Sequence, residues 1–260
     1  MAPDDTLAAD AVPVSLSALT WGARRAARRA LLVHGLGSSG ATWWQVAAGL
    51  ARAGFQVVAP DLRGHGTSPR TATYRLADHV ADLAELDRDW DLVVGHSLGG
   101  LVATAFAPAS ASGRATRVLL LDPVFEMPAG DLAGVVSEQL AELSAAADVS
   151  AQRAAHPGWH NEDIVLKAAA AAATSDFVVE HCLLDNAPWR FAGLLRHTTV
   201  PTTVLAADPA LGASFSAGLG AELASANPGL TVRTVIGAGH SIHRDQPATV
   251  LAAAVDSSAR

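Results

Sequence analysis

The sequence predicts an α/β fold: a mostly parallel sheet flanked by helices, with an α-helical cap insertion. Three observations carry this. Short apolar runs recur along the chain and alternate with helical segments, the pattern of parallel strands joined by crossover helices. The chain has 260 residues, half of them hydrophobic, enough for one large core. The alternation breaks between Val124 and Thr199, where helical pieces occur without a clear strand. Residues 1–123 and 200–260 are therefore assigned to the core and 124–199 to a helical cap or lid.

The elements follow in order. Val12 to Thr20 alternates as an edge strand does. Ala30-Leu31-Leu32-Val33 is a buried strand that runs into a glycine-rich turn at His34-Gly35. Trp43 to Ala53 reads as a helix closed by Gly54. Gln56 to Ala59 is a strand stopped by Pro60, and Leu76 to Asp89 an amphipathic helix. Asp91 to Val94 is a strand, and Leu98 to Ala107 a helix ending near Pro108. Val118 to Leu121 is a strand ending at Asp122-Pro123. Asp131 to Ala147 and Asn161 to Ala173 are helices of the insertion. Thr202 to Ala207 and Thr231 to Ile236 are the last strands, with a helix around Ala221 to Ala226 between them. Gln246 to Val255 closes the chain.

Composition removes several classes of function. A net charge of −7 argues against a general nucleic-acid binder. The basic cluster Arg24, Arg25, Arg28 and Arg29 reads as a solvated turn before a strand. No run of about 18 apolar residues is present, so no membrane association is expected. Met1 to Asp5 is acidic and does not resemble a secretory signal. The single cysteine, Cys182, excludes an internal disulfide and reads as a packed thiol. Together these point to a cytoplasmic protein. No Cys or His spacing suits a metal, and no metal or organic cofactor is expected.

The chemistry centres on Gly95-His96-Ser97-Leu98-Gly99, a G-x-S-x-G segment between a strand and a helix. In that context the serine occupies a sharp turn that presents its hydroxyl at the C-terminal sheet edge. A serine hydroxyl needs a base and an oxyanion site. Among the ten histidines, His240 in Gly237-Ala238-Gly239-His240-Ser241 follows the last strand on a glycine-rich loop and is the preferred base. His243 is its competitor. The oxyanion donors are expected to be the backbone N–H groups of Leu98 and Leu36.

These segments resemble the α/β-hydrolase fold superfamily. Leu32 to Ser39 is similar to its oxyanion segment, Asp61 to Ser68 to its D-x-R-G-x-G-x-S turn, Gly95 to Gly100 to its nucleophile elbow, and Gly237 to His240 to its histidine loop. The resemblance implies an acid between the serine and the histidine in the chain. Relatives usually carry it a few residues past the strand here at Thr202 to Ala207, where Asp208 stands somewhat early and Ala210 holds the usual position. A minority place it directly after the previous strand, where Asp122 stands. Asp122 and Asp208 both remain candidates, with Glu126 a third.

The resemblance implies a serine hydrolase acting on a small carboxylic ester or lactone through an acyl-enzyme. Same-fold alternatives are a carbon–carbon bond hydrolase, a thioesterase or a cofactor-free haloperoxidase. A non-catalytic ligand-binding or receptor protein is the alternative of another class. His34, Trp43, Trp159 and Trp189 are candidate pocket residues. The aromatic residues of the insertion, with Phe177 and Phe191, suggest an apolar small-molecule substrate.

Overall fold

The computed structural model describes residues 11–86, 88–108, 114–127 and 130–256. The acidic start, Met1 to Asp5, lies outside them. Seven strands form one sheet: β1 (Ala18–Trp21), β2 (Arg28–Val33), β3 (Phe55–Pro60), β4 (Leu92–His96), β5 (Val118–Leu121), β6 (Thr202–Ala206) and β7 (Leu230–Thr234). Their order is β1-β3-β2-β4-β5-β6-β7. β1 runs antiparallel to β3 at the edge, and every other neighbouring pair is parallel. The expected fold class, a mostly parallel sheet flanked by helices, is what the chain adopts.

Helices α1 (Trp44–Arg52), α2 (Leu76–Ala84) and α3 (Leu98–Phe106) connect the first strands. Five more lie between β5 and β6: α4 (Leu132–Ala146), α5 (Val149–Ala155), α6 (Asn161–Ala173), α7 (Asp176–Leu184) and α8 (Ala192–His197). The chain closes with α9 (Ala217–Ala226), α10 (Ile242–Asp245) and α11 (Pro247–Val255).

The central strands are apolar without interruption because they feed two cores. Side chains alternate across a strand, so Leu31 and Val33 of β2 join Leu101 and Phe106 on one face, while Ala30 and Leu32 join Leu50 and Val250 on the other. Helices α2 and α3 cover the first face, and α1 and α11 the second. This two-sided burial fixes the C-terminal strand ends, where the loops carrying Ser97, Asp122 and His240 emerge.

Three boundaries differ from expectation. The first strand begins at Ala18, because the Val14 N–H donates to Asp82 Oδ1 (2.7 Å) and not to a strand. β2 begins at Arg28, so half of the basic cluster is strand and not turn. The Arg28 guanidinium there lies 4.2 Å from the centre of the Phe55 ring, and the Arg29 N–H donates to Asp91 Oδ2 at 2.7 Å. The last strand stops at Thr234 and leaves Ile236 72% exposed.

Three of the five helices between β5 and β6 are capped by their own N-terminal side chains. Asp131 accepts from the Gly134 N–H, Asp148 from Ser150 and Ala151, and His160 from Glu162. α6 is tied to α1 through Asp163, which accepts from Trp44 Nε1 at 2.9 Å and Gln45 Nε2 at 2.7 Å. Among the described residues no helix is long and apolar enough to cross a membrane.

Candidate active site

Ser97 joins β4 to α3 with φ 55° and ψ −122°, outside the regions that L-residues favour. The turn is packed so closely that a Cβ on Gly99 would stand 2.2 Å from the Val33 carbonyl oxygen, and one on Gly95 2.3 Å from the Gly99 carbonyl oxygen. Glycine at both positions is therefore a steric requirement of the elbow. Strain of this kind persists only where the surroundings over-determine it, and such residues cluster at functional sites.

Asp122, directly after β5, is the other non-glycine residue at positive φ (40°) among the described residues. Its N–H continues the ladder to the Leu205 carbonyl at 2.8 Å. The side chain is fully buried. Oδ1 accepts from the N–H groups of Ala207 and Phe215 (3.1 Å each), and Oδ2 from Ser214 N–H at 2.8 Å. Oδ2 also lies 2.7 Å from His240 Nδ1. Burial by itself would raise this carboxyl. The hydrogen bond and charge of His240, with the amides of Ser214 and Ala207, outweigh it and hold the group below the usual carboxylate range.

Asp208 does something else. Its carboxylate accepts from Ala210 N–H and Gly237 N–H, both at 2.9 Å, and so shapes the start of the histidine loop. These backbone hydrogen bonds lower its pKa although it is only half-buried. The Glu126 backbone forms an isolated antiparallel β-bridge with that of Arg190. Of the three acids weighed from the sequence, the structure brings Asp122 to His240.

His240 presents Nδ1 to Asp122 and, at 3.1 Å, to Ser214 Oγ. Its own carbonyl lies 3.0 Å from His96 Nε2. Burial drives the His96 imidazole well below its ordinary pKa, so the neutral ring donates and fixes the histidine loop over the elbow. His243 is buried against Trp43, ring centres 4.6 Å apart, with its basicity suppressed by burial.

The turn after β2, where the oxyanion donor is expected, is braced by two buried neutral imidazoles. His34 Nε2 accepts from Leu62 N–H (2.9 Å), and its Nδ1 donates to the Gly35 carbonyl (2.8 Å). His65 Nε2 accepts from Gly37 N–H at 3.2 Å. Burial lowers His34 to about 4 and His65 to about 3. Among the described residues neither Leu36 N–H nor Leu98 N–H has a backbone or side-chain acceptor. Leu36, in the turn after β2, lines the same cavity as Ser97, and Leu98, the next residue in the chain, is the first of α3.

Ser97, His240 and Leu36 line one cavity of about 700 Å³. Trp159 also lines it, with Nε1 donating to Asp245 Oδ1 at 2.6 Å. The other expected pocket residues do not reach it. His34 is 1% exposed and spent on Gly35 and Leu62, and Trp43 is core against His243. Trp189 turns away to donate to the Val124 carbonyl (2.9 Å). Phe177 stacks on His181 and Phe191 packs against Trp189. The aromatic count of the insertion therefore says little about this cavity. Its walls instead include Lys167, Arg244, Gln139 and Glu142 beside Leu143 and Val179. Sequence reasoning missed Ser214, Lys167 and Arg244. The one signal was Lys167 itself, the lone cation of an alanine-rich helix.

Comparison with known proteins bears on the fold and the family. Lipase LipV of Mycobacterium tuberculosis is 37% identical over 117 residues, 44% of each chain. The chain aligns with less than half the length of such curated relatives. Two solved structures superpose over nearly all of it. N-formylmaleamic acid deformylase of Pseudomonas putida S16 does so with TM-score 0.74 and 22% identity, covering 92% of this chain and 95% of the other. An esterase of Exiguobacterium antarcticum does so with TM-score 0.73 and 15% identity, covering 92% and 93%. At these identities the likeness is one of fold. The model of the alpha/beta hydrolase family matches residues 30–254, from β2 through most of α11. With the sheet order, the elbow and the histidine loop described above, the chain belongs to the alpha/beta hydrolase family.

Proposed function

We propose that this chain is a serine hydrolase that cleaves a carboxylic ester or lactone. The carrying observation is the His240–Asp122 pair on the cavity that also presents Ser97 at its strained turn. Asp122 holds the Nδ1–H tautomer, which leaves Nε2 as the base. Ser97 Oγ attacks the substrate carbonyl carbon and passes its proton to Nε2. The N–H groups of Leu36 and Leu98 receive the oxyanion, each worth about 3 kcal/mol to the transition state. Collapse of the tetrahedral species breaks the C–O bond, and His240 returns the proton to the leaving alkoxide. Water then attacks the acyl-enzyme by the same route and frees the acid and Ser97.

Relatives named as a lipase and an esterase support ester chemistry, while a deformylase shows that the fold also serves other bonds. A fluorophosphonate probe should label Ser97. Ser97→Ala should lose both labelling and turnover of 4-nitrophenyl butyrate. Turnover that survives in Ser97→Ala would overturn the mechanism.

A further inference from the structure

The cavity holds two basic side chains that the proposed mechanism does not use. Arg244 of α10 is 4% exposed. Its Nη1 donates to Ser241 Oγ at 2.8 Å and its Nη2 approaches Ser38 Oγ at 3.4 Å. Its guanidinium carbon lies 5.1 Å from the Trp159 ring centre, and its buried Nε has no partner among the described residues. Lys167 enters from α6, where Nζ donates to the Gly37 carbonyl at 2.9 Å, one acceptor for a group with three donors.

Neither cation has a carboxylate within ion-pair distance among the described residues. The nearby acids are engaged or peripheral. Asp163 is held by Trp44 and Gln45. Asp245 accepts from Trp159 and, at 2.8 Å, from Gly239 N–H. Glu142 is exposed at the rim and accepts from Gln139 Nε2 at 2.8 Å. Burial, and then the two cations' mutual repulsion, brings Lys167 down to about 7, and burial brings Arg244 down to about 10. Two like charges in one cavity without a counter-ion are costly, and an anion between them removes that cost.

We propose that Lys167 and Arg244 form an anion subsite beside Ser97, which selects esters or lactones bearing a free carboxylate. The subsite deepens the hydrolase reading and rests on it for the ester. Glu142 at the rim and the apolar Leu143 and Val179 suit a short monoanionic arm better than a phosphate dianion.

Two esters that differ only in charge test this: 4-nitrophenyl hydrogen glutarate and its neutral methyl ester. The anionic ester should have the higher kcat/KM. Lys167→Met should cut the anionic-to-neutral ratio about tenfold, the usual worth of a hydrogen bond to a charged group. Glu142→Gln, at an exposed position that does not endanger folding, should raise the ratio. A ratio of one or less in the native protein, or one that neither variant moves, would overturn the subsite.

If neither ester is turned over, the hydrolase reading fails, and calorimetric titration decides the subsite alone. Glutarate binding that weakens in Lys167→Met supports it, and absence of glutarate binding overturns it. Inorganic phosphate binding more tightly than glutarate would overturn the assignment to a carboxylate.

Discussion

Asp122→Asn keeps the volume of the side chain and removes its charge. The carboxylate accepts three backbone N–H groups, all satisfied through one buried side chain. An asparagine can turn its oxygen to some of these, but its amide NH₂ then faces a donor. If it faces His240, the Nδ1–H tautomer loses its acceptor, and the proton moves to Nε2, where the base is needed. Such wrong-tautomer variants lose roughly 10⁴-fold in kcat, about 5.5 kcal/mol of transition-state stabilisation. If it faces Ser214 or Ala207, a buried N–H goes unpaired at about 1–3 kcal/mol of stability. The assay is kcat on 4-nitrophenyl butyrate, with Asp208→Asn as the comparison and thermal unfolding to separate the two losses. Asp208→Asn should keep activity within about tenfold, because it loses only charge-assisted bonds to Gly237 and Ala210. An Asp208→Asn protein less active than Asp122→Asn would refute the reasoning.

Two further outcomes concern stability. Arg63 and Asp82 are both buried and paired at 2.6 and 2.7 Å, so Asp82→Asn should cost about 3–5 kcal/mol in urea unfolding; a loss under 1 kcal/mol would show that the pair contributes little. Lys167, at about 7 when folded, binds fewer protons there than in the unfolded chain, where its ordinary value applies. The unfolded state therefore gains from protonation between about 10.5 and about 7, and the penalty is full below about 7. That penalty is relieved as pH rises from about 7 towards about 10.5, by at most about 1.4 kcal/mol per pH unit. The stability difference between the native protein and Lys167→Met should change over that window, with the native protein gaining as pH rises; a difference that is flat in pH would contradict it.

Much of this molecule can be read from its sequence, and the limits have physical reasons. The inner strands stand out because both faces are buried, which makes Leu31 to Val33 and Val118 to Leu121 continuously apolar. The elbow, the oxyanion turn and the histidine loop are legible because close backbone approach demands glycine at fixed places. The choice between Asp122 and Asp208 was not legible. Each follows a strand, precedes a proline and accepts backbone N–H groups, and only the fold, which brings His240 Nδ1 to one of them, separates the two. α5, α7 and α8 escaped notice because they are short and lie where apolar residues face several neighbours, which blurs helical periodicity. Residue type alone places Trp189 in the pocket, but its indole N–H finds its acceptor at the Val124 carbonyl. Lone cations such as Lys167 and Arg244 are usually solvated, so residue type does not mark them as cavity residues.

The bond from Trp159 to Asp245 has a consequence for how such a chain can be rebuilt. One carboxylate accepts the indole N–H from the helical insertion and the Gly239 N–H immediately before His240. Lys167 makes a second tie, from α6 to the Gly37 carbonyl of the oxyanion turn. The helical segment is thus wired to both loops that the proposed mechanism uses. Grafting a foreign helical segment between β5 and β6 would strip Asp245 and Gly37 of these partners together. Exchange of specificity by swapping this segment therefore requires carrying the two anchoring side chains along with it.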